Sequence, residues 1–246
     1  MRGFLPGICL ALVLVVSAHA SSGSGQDSGN SGESDGAALQ AWRDVLVQPW
    51  QVGGEPVLLE MTDGTRRVEV DRCSRLFEAQ ADGMEGIGPD RPILDGRRIQ
   101  CEAARLVVGG AVARKDFVAG FTLDEKTVRA LPVDLAPVIS RDDERKVAGI
   151  RSRGGALGDF LGAATVEVLG RPEDRKVVVR DGDGGNQILS VLAEGDFDHD
   201  GFNDLLMSSM KSLDGGSYHA ADLHVVSRLG EGEPLVVRVP GKARLQ

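Results

Sequence analysis

Beyond Pro137 the chain consists of short Val/Leu/Ile-rich runs, ATVEVLG, RKVVVRD, QILSVLAEGD, DLLMSSM, AADLHVVSRL and EPLVVRVP, separated by links bearing Gly and Asp. Apolar runs this short, rich in β-branched residues and bounded by turn residues, are strands rather than helices. Links as short as GRPEDR and DGDGG join neighbours that run in opposite directions, because parallel neighbours need a crossover of about a dozen residues. Residues 141–246 are therefore expected to form an antiparallel sheet.

Residues 38–140 have a different rhythm. EPVLLEMTDGTRRVEVD holds two strand-like runs joined at Asp63-Gly64, a pair suited to a tight hairpin turn. In DRCSRLFEAQ the residues Cys73, Leu76 and Phe77 share one helical face, and in GRRIQCEAARLVV so do Cys101, Ala104 and Val108. TLDEKTVRAL predicts a shorter helix, with Thr122 and Glu125 at capping-box spacing ahead of Val128 and Leu131. The expected fold class is α+β, a mainly helical N-terminal part with one hairpin followed by the sheet.

The first 20 residues, MRGFLPGICLALVLVVSAHA, combine Arg2, an apolar run from Ile8 to Val16 and the small residues Ala18 and Ala20, the pattern of a cleaved secretory signal. The apolar run is short for a membrane span and no second one follows, so no transmembrane segment is expected after cleavage. Residues 21–37 are nearly all Ser, Gly, Asn, Gln and acids, too polar to offset the entropy of ordering, and read as a flexible spacer. Cleavage removes Cys9 and leaves Cys73 and Cys101, an even pair that in an exported chain reads as one disulfide; the alternative is two free buried thiols.

The residues that carry chemistry lie in AEGDFDHDGFNDLLM, where Asp196, Asp198, Asp200 and Asp204 crowd together. A hard cation such as Ca²⁺ takes six to eight oxygens, and alternate residues of a tight loop can turn their carboxylates towards one point. Asp196, Asp198 and Asp200 have that alternation, Gly201 supplies the turn, Phe202 offers its carbonyl, and Asp204 completes the set directly or through water. An EF-hand would need a bidentate Glu where Met207 stands and a helix on either side, whereas the flanking runs here are strand-like.

These residues, GDFDHDGFNDLL, resemble the calcium loop of FG-GAP/VCBS-type repeats, with weaker similarity to dockerin and thrombospondin loops. The resemblance implies one Ca²⁺ ion held between β-strands, and it covers only about fifteen residues. Gly158-Asp159-Phe160 repeats its opening and then diverges, so a multi-blade propeller is not encoded.

Composition narrows the function. A formal net charge of −9 disfavours nucleic acid as a partner, and an aromatic content of 4% disfavours extended stacking platforms. No nucleophile elbow, zinc-protease helix or phosphate-binding loop is present. His199, His219 and His224 invite a transition-metal reading, but their spacing turns them to different sides. The expectation is an exported, periplasmic or extracellular calcium-binding protein with a non-catalytic binding or envelope-associated role, its partner another envelope or extracellular protein. The alternatives are a secreted hydrolase whose calcium lies away from the active site, and a small exported inhibitor.

Overall fold

The structure is a computed structural model and describes residues 31–50, 57–86, 91–171, 174–182, 184–216 and 218–239. The expected signal and residues 21–30 of the expected spacer lie outside the described residues. Helix α1, Ser31–Val47, begins inside the remainder of that spacer. Its ordering comes from farther along, where Ala38 and Trp42 are buried and Val45 and Leu46 pack against the core that holds Trp42. That spacing of four, then three and four, makes one apolar helical face.

The expected hairpin forms from β1, Val57–Met61, and β2, Arg67–Val70, in the register Val57↔Val70 and Leu59↔Val68. A third strand, β3 (Met84–Gly86), pairs antiparallel with the other edge of β1. Helices α2, Cys73–Ala81, and α3, Arg91–Gly109, follow the two helical signals. The Cys73–Cys101 disulfide joins them, with a Cα–Cα distance of 5.3 Å. Both cysteines are fully buried in a core with Val57, Leu59, Val70, Leu76 and Leu94.

Helix α4, Glu125–Arg129, is present, but its cap differs from the expected Thr122–Glu125 box. Asp124 is the N-cap: its carboxylate accepts from the Thr127 amide at 2.8 Å, and its own amide donates to Thr127 Oγ1 at 2.9 Å. A carboxylate is the stronger acceptor for an exposed helix N–H, and Glu125 instead pairs with Arg129 one turn on. Helices α5, Arg141–Ser152, and α6, Leu157–Leu161, extend past residue 140 into the stretch read as sheet. Helix α5 buries only Val147 and Ile150, too weak a stripe to stand out; its legible sign is the Ser140–Asp143 capping box.

The larger sheet is a six-stranded antiparallel meander in sequence order: β4 (Thr165–Val168), β5 (Lys176–Arg180), β6 (Gly185–Gly195), β7 (Asp204–Leu213), β8 (His219–Ser227) and β9 (Val236–Val239). The fold is mixed α+β, with the larger sheet in the C-terminal half. One face packs Val177, Leu189, Val191, Leu205 and Met207 against Leu131, Leu135, Ile150 and Leu157 from α4 to α6. The other packs Leu206, Leu223 and Val225 against Ala103, Ala104 and Trp42 from α3 and α1. Cover on both faces explains why β6, β7 and β8 are buried almost continuously rather than at alternate residues. Among the described residues no helix is long and apolar enough to cross a membrane.

Candidate metal centre

Strands β6 and β7 are joined by the acidic loop, which the facing pair Gly195↔Asp204 closes at its base. The loop is held from outside by the segment that follows α3. Ala111 and Asp196 exchange backbone hydrogen bonds at 2.9 and 3.2 Å, the Arg114 and Lys115 amides both donate to the Gly201 carbonyl, and the Asn203 amide donates to the Lys115 carbonyl at 2.8 Å. From inside, Phe197 is sunk in the core shared with α3. Gly201 sits at φ +91°, a backbone conformation that side chains with a Cβ rarely adopt, so the turn requires glycine.

Asp196, Asp198 and Asp204 each bring a ligand oxygen within 4.8 Å of the others and could hold a metal ion. Asp196 is 3% exposed and Asp204 fully buried. The Asp204 carboxylate accepts from the Phe197 amide at 2.9 Å and from the Ser227 hydroxyl. Asp196 Oδ2 accepts from the Gly201 amide at 3.0 Å, while Asp196 Oδ1 is buried with no hydrogen-bond partner. A buried carboxylate oxygen without a partner costs several times what an exposed one would, unless a cation faces it. Mutual repulsion adds roughly 3 kcal/mol per ionised pair at this separation, for an effective dielectric constant near 20.

Burial pushes the Asp204 carboxyl up to about 6. The charges of Asp198 and Asp200 push it the same way, against the hydrogen bonds from Ser227 and the Phe197 amide. A dication at the centre would reverse that balance and favour the ionised form of Asp204. The donor set of the triad is oxygen alone, the choice of hard cations; His199 is exposed, and neither His219 nor His224 joins the group.

One of the expected donors stands apart from this convergence. Asp200 lies outside the triad, its Oδ2 held by Arg238 at 2.9 Å and its Oδ1 accepting from the Phe202 amide. Phe202 places its ring against Phe117, with centroids 5.8 Å apart and the Lys115 ammonium above it. The backbone bridge to Lys115 uses the Gly201 carbonyl and the Asn203 amide, which leaves the Phe202 carbonyl unused by it. Sequence reasoning missed Ser227, Arg238 and the strap at 110–118. All three reach the loop from distant parts of the chain, and no local pattern marks them.

A second polar group lies on the sheet face covered by α4 to α6. Lys211 and Asp222 form an ion pair at 2.9 Å, and His224 is buried with both ring nitrogens unpartnered. Ser209 is bonded by Gln187 Nε2 at 2.7 Å rather than by a histidine, so among the described residues no nucleophile–base pair of the serine-hydrolase kind appears here.

Burial lowers the affinity of His224 for a proton below the ordinary value near 6.5; Asp222 and Asp134 oppose this and Lys211 reinforces it. A base whose folded pKa is depressed leaves stability intact above pH 6.5 and removes it as the pH falls from there through the folded value. Urea unfolding of the wild type and His224→Gln, compared at pH 7.5 and pH 5.5, should show the wild type losing up to about 1.4 kcal/mol more than the variant. Equal losses would mean that His224 is already solvated in the folded chain.

No protein-family model matches the chain, and no curated protein or solved structure is significantly similar to it. The functional reading therefore stands on the site itself.

Proposed function

We propose that this is an exported calcium-binding protein in which one structural Ca²⁺ ion holds the β6–β7 loop, and that its role is non-catalytic binding or interaction in the envelope or outside the cell. The observation that carries the reading is the convergence of Asp196, Asp198 and Asp204, one of which, Asp196, keeps a buried oxygen without a hydrogen-bond partner. The D-x-D-x-D-G-x-x-D spacing, with its resemblance to FG-GAP/VCBS-type loops, favours calcium over smaller hard cations, since Ca²⁺ accepts a flexible, crowded shell of carboxylates and carbonyls. The flanking elements are strands, as that resemblance implies. Export is supported by the N-terminal signal pattern and by a disulfide that an oxidising compartment would maintain.

Thermal unfolding tests the reading. With a dissociation constant near 0.1 mM, Ca²⁺ at about 1 mM adds roughly 1.4 kcal/mol, which for a chain of this size raises the melting temperature by about 3–6 °C over the value in chelator. An equal rise with Mg²⁺ would contradict the assignment to calcium.

A further inference from the structure

Arg238 stands on β9, the edge strand of the sheet, which is tied to β8 by the pairs Val225↔Val239, Val226↔Val237 and Ser227↔Val236 with one irregularity between them. From there its guanidinium crosses to the acidic loop. Nε meets Asp198 Oδ2 at 3.1 Å and Nη2 meets Asp200 Oδ2 at 2.9 Å. This fork joins two different carboxylates, one of which, Asp198, also belongs to the converging triad. The other, Asp200, has the alternate position of a third inward ligand yet lies outside the triad, with its outer oxygen in the fork.

We infer that Arg238 is the loop's built-in cation, a competitor that divalent-ion binding must displace. The inference rests on the calcium reading and gives that site its regulation. Three carboxylates leave a Ca²⁺ shell of six to eight oxygens short, and Asp200 is the nearest remaining donor in the loop's own alternation. Asp200 turns inward only when the fork opens, and a dication beside Asp198 repels a guanidinium on the same carboxylate. Ion and fork therefore exclude one another. Because Arg238 is part of β9, occupancy of the site is coupled to how firmly the C-terminal edge of the sheet is held: the fork ties the loop to the strand through two charge-assisted bonds, and an ion in the site would break them. The neighbouring Ser227, paired with Val236 and bonded to Asp204, gives β8 the complementary role of a fixed wall.

The test is a calorimetric titration of Ca²⁺ into the wild-type chain and into Arg238→Gln, with hydrogen exchange on β9 in the wild type. The substitution keeps part of the side-chain stem and removes the charge on an exposed residue, and melting curves in chelator establish that both chains are folded. The expected result is about tenfold tighter binding to Arg238→Gln and faster exchange of the β9 amides on adding Ca²⁺ to the wild type. Wild-type binding that Arg238→Gln leaves equal or weaker would overturn this inference alone, because the guanidinium would then support the ion. Absence of binding to either chain would overturn the calcium reading and this inference with it.

Discussion

Phe197→Ala is expected to cost about 3–5 kcal/mol of stability and to weaken calcium binding at the same time. The residue is 6% exposed and is the second residue of the acidic loop, yet its ring belongs to the core formed with Leu192, Leu206, Ala103 and Ala104. The packing is close: a Cβ on Gly110 would lie 3.1 Å from Phe197 Cδ1, and one on Gly195 equally near the ring. Deleting the ring leaves a cavity between the end of α3 and the sheet that these backbones can only partly fill. The Phe197 amide also donates to Asp204, so movement of the loop spoils the position of a proposed ligand. Urea unfolding and a calcium titration of the same variant measure both effects. Phe197→Leu should recover most of the stability, and a variant Phe197→Ala that melts like the wild type would show that the loop is not anchored in this way.

The second large effect concerns the disulfide. Replacing Cys73 and Cys101 together by Ser is expected to cost roughly 3.5 kcal/mol on the chain-entropy model for a closed loop of this length. The loss should be uneven. Both cysteines sit in the core of the three-stranded sheet with α2 and α3, and the cores on the two faces of the six-stranded sheet contain neither. Hydrogen exchange of the double variant should therefore show the amides of β1, β2 and β3 losing protection first, while β6 and β7 keep theirs. A uniform loss across both sheets would mean that the molecule opens as one cooperative unit.

The strands of the larger sheet were legible because each is a short apolar run closed by turn residues, and short links force an antiparallel meander. Helices α2 and α3 were legible from the faces that carry Cys73 and Cys101, and those faces meet in the disulfide. Helices α5 and α6 were not, because α5 shows only Val147 and Ile150 to the core and α6 is a single turn and a half of LGDFL. Strand β3 escaped notice since three residues carry no period, and its place is decided by pairing with β1. At the site, spacing along the loop pointed to Asp196, Asp198 and Asp204, which converge. It could not show that Asp200 is turned towards Arg238, a residue whose approach depends on the fold of β9. Nor could spacing reveal Ser227 beside Asp204, which is a consequence of the β7–β8 register.

The central claim is most directly tested by calorimetric titration of Ca²⁺ into the folded wild-type chain, into Asp196→Asn and into the double variant Asp198→Ala with Asp200→Ala. The account predicts a one-site isotherm for the wild type with a dissociation constant on the order of 10⁻⁴ M, and no measurable heat of binding for either variant. Heats that are absent from the wild type, or the same in all three chains, would contradict it.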